Sequence, residues 1–77
     1  MLETLDHLAP AQSGIIDAIE ASPDLARRMS ALGLRPGRTV EVIRAAPWHG
    51  PLQIRVGHTD IMIRRRDAAC IAVRTGH

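Results

Sequence analysis

The stretch that decides the fold spans residues 22–34 and reads SPDLARRMSALGL. Ser22 belongs to the residue types that cap helix N-termini, and Pro23 suits the first helical position. Gly33 can adopt the left-handed conformation that commonly closes a helix. The sequence therefore predicts one helix that begins after Ser22 and ends at Gly33.

One face of this predicted helix is apolar. Leu25, Met29 and Leu32 stand at positions i, i+4 and i+7, so we expect them to pack inward together. Leu34 follows the helix end and is expected to fold back over the last turn as the apolar contact of a Schellman-type cap. Pro36-Gly37 then predicts a turn that reverses the chain.

Beyond the helix the apolar period changes from 3.6 to 2, which is typical of half-buried strands. Four strands are predicted, around Val40–Val42, Leu52–Val56, Ile61–Ile63 and Ile71–Val73. A fifth is predicted over Gly14–Glu20, where the isoleucines break the alternation and indicate a bulge or burial on both faces. Residues 1–77 are thus predicted to form one mainly β domain, a small barrel of about five antiparallel strands with one inserted α-helix.

Composition narrows the function classes. The 77 residues are 45% hydrophobic and 23% charged, which is typical of a globular chain rather than a disordered one. Trp48 is the only aromatic residue, so a base-stacking surface is nearly excluded. All ten basic residues are arginine, yet the net charge is only +2, so the overall charge favours no nucleic acid.

The sequence predicts a cytoplasmic protein that does not insert into a membrane. The longest apolar run near the C-terminus, Ala68–Val73, is far shorter than the roughly 18 residues of a membrane-spanning helix. The N-terminal residues carry acids and no basic cluster, unlike a secretory signal. Cys70 has no second cysteine to pair with, which agrees with a reducing compartment.

No catalytic or metal-binding motif stands out, so we expect no enzyme activity, no cofactor and no metal ligand. His7, His49, His58 and His77 lack the close helical spacing of a preorganised metal site. A site assembled in space from His49, His58 and Cys70 is the alternative. Cys70 lacks a basic partner and is interpreted as structural, on the outer surface or beneath the helix.

Two segments are candidates for binding a partner. Arg64-Arg65-Arg66 is the densest charge, and it is either a solvated strand end or a docking site for an acidic partner or phosphate. The loop from Ala46 to Leu52 holds Trp48 between two prolines. Trp48 is predicted either to cover the open end of the barrel or to stand exposed as an anchor for a partner.

These residues also resemble a known family. RMSALGLRPG at residues 28–37 resembles the helix-to-turn signature of the ferrous iron transport protein A (FeoA) family. That family's pattern continues in order through Val40-x-Val42, APxxGPLxIxV at residues 46–56, Ile63-Arg64, Ala68, Ile71 and Val73. The similarity covers residues 8–73, with Ala11 standing where a glycine is usual and Trp48 at a position the family is not expected to fix.

The resemblance implies an SH3-like barrel that acts in the cytoplasm as an accessory to the membrane ferrous iron transporter, whose soluble part hydrolyses GTP. It implies no catalysis and no established iron ligand. We therefore hypothesise that this chain docks on the transporter through a surface formed by Pro47, Trp48, His49, Arg64 and Arg65. Self-association is left open. Such a surface would pair a rigid aromatic anchor with planar cations.

Two alternatives come from other classes. The same barrel occurs as a C-terminal regulatory module of metal-dependent repressors, but no DNA-binding helices precede it in these 77 residues. PGRTVEV at residues 36–42 also resembles the opening of an RNA-binding barrel. The absence of lysine, the single aromatic ring and the low net charge argue against RNA.

Overall fold

The architecture is a single antiparallel sheet with short helices, described over residues 1–76 of a computed structural model. Six strands form it: β1 (Leu2–Thr4), β2 (Ser13–Ile19), β3 (Thr39–Ala45), β4 (Leu52–Val56), β5 (Thr59–Ile63) and β6 (Ile71–Arg74). Their order in the sheet is β1-β6-β2-β3-β4-β5. The mainly β fold is confirmed, and helix α1 (Pro23–Ala31) lies between β2 and β3 as predicted.

Both ends of α1 have the predicted caps. The Leu25 backbone N–H donates to Ser22 Oγ at 3.2 Å, which satisfies one of the free donors at the helix start. At the other end Gly33 has φ of +94°, and the N–H of Leu34 donates to the Met29 carbonyl at 2.9 Å. This is the long bond of a Schellman motif, and it leaves Leu34 only 1% exposed.

The prediction for Leu32 is wrong. Leu25 and Met29 do pack inward, but Leu32 is 50% exposed. Leu32 is the C-cap of α1 and still has helical backbone angles, so it stays on the face of Leu25 and Met29, but no other part of residues 1–76 covers it fully. The buried position falls to Leu34 instead.

The turn after α1 is tied to the sheet. The Arg38 N–H donates to the Arg35 carbonyl at 3.1 Å around Pro36 and Gly37, and Gly37 has φ of +91°. This pattern is typical of a type II turn, which needs a positive φ at its third residue. The Gly37 N–H also donates to the Ile16 carbonyl at 2.8 Å, so the predicted turn holds the chain against β2.

The irregular isoleucines of β2 are explained by a bulge. The pairing of β2 with β6 shifts register between Ile16 and Ala18. Ile16 is fully buried, whereas Ile15 is 43% exposed and faces away from the core. Of the two predicted alternatives the bulge is correct, because the extra residue, Asp17, lets the strand bend without burying both faces.

Three short elements were not predicted: a first strand, a 3-10 turn (Leu5–His7) and a second helix. Strand β1 pairs with β6 from Leu2↔Arg74 to Thr4↔Ala72, and its three residues are too few to show a period. A short helix α2 (Arg65–Ala68) follows β5, where alternating arginines on a strand end were expected. Ala68, the last residue of α2, is fully buried in the core.

The core is aliphatic, as the near absence of aromatic residues requires. Its largest fully buried side chains come from four strands, the turn after β1 and the segment after α1: Leu5, Ile16, Leu34, Val40, Val42, Leu52, Ile54, Ile71 and Val73. Ile63 and Val56 complete the predicted inward faces, while Ile61 is only partly buried. Cys70 is a free thiol in the turn between α2 and β6, where Sγ lies 3.6 Å from the Arg66 carbonyl oxygen.

Candidate docking surface

The hairpin loop between β3 and β4 is tightly closed. The Gly50 N–H donates to the Pro47 carbonyl at 3.1 Å, and the Ala46 N–H donates to the Pro51 carbonyl at 3.0 Å. Trp48 and His49 between them have φ of +61° and +56°. Two consecutive positive φ values are typical of a type I′ turn, whose twist matches that of the flanking strands. The loop therefore has a defined shape although its central residues are not glycine.

Trp48 stands at the tip of this turn and is 94% exposed. A side chain that covered the open end of the sheet would lose most of its contact with water, so the lid alternative is excluded. A large apolar ring held almost entirely in solvent on a fixed backbone is typical of a residue that contacts another molecule.

The register of the sheet brings Arg64 to the same end as the loop. Leu52, the first residue of β4, pairs with Ile63, the last residue of β5. Pro51 and Arg64 each lie one residue beyond this pair, and both are exposed. The loop and one of the predicted arginines therefore share an end of the β4–β5 hairpin.

Arg65 points elsewhere. Its Nη1 donates a hydrogen bond to the Asp6 carbonyl oxygen at 3.0 Å, and the residue is half-buried. This bond joins α2 to the 3-10 turn Leu5–His7. The structure therefore places Arg65 between two elements of the fold and leaves Arg64 and Arg66 on the surface.

Two further residues, Arg44 and Met62, border the loop and were not predicted from the sequence. Met62 is 57% exposed and lines a shallow cleft of about 290 Å³ together with Arg44, Pro47 and Pro51. Among residues 1–76, neither Arg44 nor Arg64 forms an ion pair. We call the exposed residues Arg44, Pro47, Trp48, His49, Met62 and Arg64 the loop surface. Met62 could have been found from its position, since it is the outward residue between Ile61 and Ile63.

A paired carboxylate lies behind the loop surface on the outer face of the hairpin. Arg55 Nε donates to Asp60 Oδ1 at 2.7 Å, and Gln53 Nε2 donates to Asp60 Oδ2 at 3.1 Å. The hydrogen bond from Arg55 is the main cause that lowers the pKa of Asp60, and the bond from Gln53 acts in the same direction while burial opposes both. The same pair raises the pKa of Arg55. Asp60 is therefore paired with Arg55 on the neighbouring strand. Its carboxylate does not serve as a counter-charge for the nearby arginines of the loop surface.

His49 and His58, two residues of the alternative metal site, lie far apart. His49 precedes β4 and His58 follows it, so the five residues of that strand, about 16 Å at the usual rise per residue, lie between them. Within residues 1–76, no three side chains among His, Cys, Asp and Glu are grouped so that they could hold a metal ion.

Comparison with known proteins identifies the family. The FeoA domain model matches residues 3–75. The chain belongs to the FeoA family. This family of small accessory proteins is associated with ferrous iron transport, and the match extends beyond residues 8–73, the span in which the motifs were found.

Solved structures agree with this assignment. An iron uptake regulatory protein (FeoA) is 30% identical, with a TM-score of 0.89 over 96% of this chain and 97% of its own. FeoA from Stenotrophomonas maltophilia, solved in complex with zinc and described as a prokaryotic SH3 domain protein, is 28% identical. It covers 94% of this chain and 89% of its own, with a TM-score of 0.82. The SH3-like fold that the resemblance implied is confirmed.

The repressor alternative is supported by similarity of fold only. A manganese-dependent transcriptional repressor has a TM-score of 0.85 to 94% of this chain, but it is 16% identical and only 40% of its own length is covered. At that identity the likeness concerns the shape of the barrel.

Among residues 1–76 no helix is long and apolar enough to span a bilayer.

Proposed function

We propose that this FeoA-family chain is a cytoplasmic accessory protein of ferrous iron uptake that docks on the GTP-hydrolysing part of the membrane ferrous iron transporter through its loop surface. The observation that carries the proposal is the exposure of Trp48. Its ring is almost entirely in solvent on a closed turn, beside arginines that have no ion-pair partner in residues 1–76. Membership of the family supplies the transport context.

The turn makes Trp48 an efficient anchor. Because the backbone of the turn is already fixed, little backbone conformational entropy is lost when the ring enters a pocket on the partner. Pro47 and Pro51 restrict the backbone on either side, and the two hydrogen bonds across the loop fix its width. Burial of the ring would therefore contribute to affinity with little cost for ordering the backbone of the loop.

The arginines supply orientation. The guanidinium groups of Arg44 and Arg64 can each form two parallel hydrogen bonds to a carboxylate. Met62 lines one cleft with Arg44 and a second, neighbouring groove with Arg64, so a partner that placed an apolar side chain on Met62 would have an arginine within reach of carboxylates in each. We expect a partner surface with a pocket for an aromatic ring and acidic residues around it.

The direct test is co-purification with a tagged transporter, with an untagged transporter as the background control. Trp48→Ala should weaken the interaction by roughly 2 kcal/mol or more, mainly through faster dissociation. Leu2→Ala is the matched control, because Leu2 is 59% exposed on β1, at the opposite edge of the sheet. Equal recovery of both variants with the transporter would show that Trp48 is not the anchor.

Arginine variants test the second half of the surface. Arg64→Ala should slow association and reduce its dependence on salt, because exposed interfacial charges act mainly on the encounter. Arg38→Ala is the control: Arg38 Nη2 lies beside Gly57, at the far end of the hairpin from Arg64. A gel-shift titration of RNA at rising salt, run on the same preparations, tests the RNA-binding alternative, which requires a salt-dependent shift of the RNA.

A further inference from the structure

A second feature lies next to the loop surface. Helix α1 and strand β5 enclose an open groove of about 480 Å³. Its floor is apolar and includes Leu25, Met29 and Ile61. Leu32 on one side and Met62 on the other are 50% and 57% exposed. We call this feature the helix–edge groove.

The rim of the groove is positively charged. Arg28, Arg64 and Arg66 line it, against a single carboxylate from Asp67. None of these three arginines forms an ion pair in the part of the chain that the structure describes. The groove therefore favours an occupant that carries carboxylates at its edges and apolar side chains towards its floor.

One wall of the groove is the free edge of a sheet. Strand β5 is the last in the order β1-β6-β2-β3-β4-β5, so within residues 1–76 it pairs only with β4. The connection is a two-residue turn at Gly57 and His58, and Val56 pairs with Thr59 across it. In such a hairpin the pair beside the turn exchanges backbone hydrogen bonds, and the bonding pairs then alternate.

This alternation fixes which groups are free. Thr59, Ile61 and Ile63 direct their backbone N–H and C=O groups towards β4. Asp60 and Met62 direct theirs outward, along the wall of the groove. An edge of this kind is a template for pairing with another strand.

We propose that the helix–edge groove binds an extended acidic segment of the partner by strand addition to β5. The backbone of the segment would bond to Met62 and Asp60, its alternate apolar side chains would lie over Leu25, Met29 and Leu32, and its carboxylates would meet Arg28, Arg64 and Arg66. The inference rests on the proposed docking function, for which it specifies the form of the partner segment.

Charge decides between this occupant and a second copy of the chain. Two copies paired edge to edge along β5 would bring two sets of the same arginines to one interface, and the chain has a net charge of +2. Like charges placed opposite one another across a strand pair are destabilising. An acidic strand removes that repulsion and supplies the missing counter-charges.

The test uses the purified full chain and a synthetic probe, so that it does not depend on the transporter. The probe is a fluorescein-labelled octapeptide of alternating Glu and Val, and its binding is followed by fluorescence anisotropy. We expect Arg64→Glu together with Arg66→Glu to weaken binding by about tenfold or more, as for charge reversal in a complementary interface. Arg38→Glu, at the far end of the hairpin, should leave the affinity unchanged. Loss of affinity only with Arg38→Glu would overturn the proposal.

Two methylated probes separate strand addition from attraction by charge alone. N-methylation of every Val removes one set of backbone donors, and N-methylation of every Glu removes the other. Because a strand turns alternate N–H groups to opposite sides, only one of these peptides should lose binding. A charged peptide that merely sits near the arginines would retain binding in both forms, and that result, or loss of binding in both, overturns the proposal.

Amide hydrogen exchange locates the edge directly. The bound probe should slow exchange at Asp60 and Met62, whose N–H groups gain partners, and leave Ile61 unchanged. Slowed exchange confined to β1 or to the loop at residues 46–51 would contradict the assignment. Sedimentation of the free chain completes the test, since a dimer that protects Met62 would identify a second copy as the occupant. Should the probe fail while the transporter is still bound, only the strand-addition step is wrong.

Discussion

Arg65 and Asp6 join two elements that lie 59 residues apart in the chain: Nη1 of Arg65 donates to the Asp6 carbonyl oxygen at 3.0 Å. Nε of Arg65 and Oδ1 of Asp6 are both buried and without a hydrogen-bond partner in the described chain. The contact fastens α2 to the turn that follows β1. The middle arginine of the Arg64–Arg66 run is therefore part of the fold.

The first prediction compares neighbouring arginines. Arg65→Met keeps most of the apolar stem but removes the donor, and we expect it to lower the free energy of unfolding by about 1.5–3 kcal/mol, the usual range for a hydrogen bond that involves a charged group. Arg66→Met changes an exposed side chain and should stay within about 0.5 kcal/mol of the parent. Urea denaturation of the two variants gives the comparison, and equal stabilities would refute the structural role of Arg65.

A second prediction uses Trp48 as a built-in probe. It is the only aromatic residue and is 94% exposed, so its fluorescence reports on the loop alone. Unfolding in urea should leave the emission maximum almost unchanged, whereas docking of the partner should shift it to shorter wavelength. Trp48→Ala should leave the thermal midpoint unchanged. A marked red shift on unfolding would mean that the ring is covered in the folded state.

A third prediction concerns two positions with positive φ. Gly33 has φ of +94° with only Val56 near its added Cβ, at 3.8 Å, so Gly33→Ala tests backbone strain with little crowding. We expect it to destabilise the protein by about 1 kcal/mol. Gly33→Asn should cost less, because Asn tolerates this conformation better.

Ala11 provides the reverse case. It has φ of +73° at the third position of a turn closed by a 3.0 Å bond from the Gln12 N–H to the Ala9 carbonyl. Ala11→Gly should therefore raise stability, by several tenths of a kcal/mol at most once the greater freedom of glycine in the unfolded chain is counted. Thermal melts of all three variants check both signs, and stabilisation by Gly33→Ala would be contrary to the helix end described above.

The fourth prediction follows from the pKa of Asp60. Its pKa is lowered in the folded state, chiefly by the hydrogen bond from Arg55. The carboxylate therefore stabilises the fold above its unfolded pKa, and the contribution is lost as pH falls through the lower folded pKa. The stability difference between the parent and Asp60→Asn should be full at pH 7 and shrink below about pH 4, the ordinary carboxyl range.

An Arg55→Met background supplies the control for this pH dependence. With the donor removed, Asp60→Asn should show a smaller difference at pH 7 and a weaker change on acidification. Thermal melts at several pH values, run on the four combinations, isolate the pair. A difference that grew as the pH fell would contradict the direction of the pKa change.

Local chemistry determined several parts of this protein. The helix ends at Ser22 and Gly33 and the turn at Pro36-Gly37 were predicted because each depends on the residues within one turn of it. The strands that supply the core were predicted because alternation of apolar side chains expresses which face is buried. The bulge in β2 was visible as broken alternation around Ile16.

Tertiary structure decided the rest, because those features depend on residues distant in sequence. Strand β1 forms only against β6, and its three residues have no pattern of their own. Leu32 has the right spacing for the core and lies on the apolar face of α1, yet it remains half exposed because the groove on that face is open. The sequence could not show which arginines of residues 64–66 serve the fold and which are exposed. Arg65 is held by its hydrogen bond to the distant Asp6 carbonyl oxygen, whereas the pairing of Leu52 with Ile63 leaves Arg64 beside the loop. The exposure of Trp48 likewise required the turn to be placed on the finished sheet, because the same sequence fits a lid or an anchor until the position of the ring relative to the core is fixed.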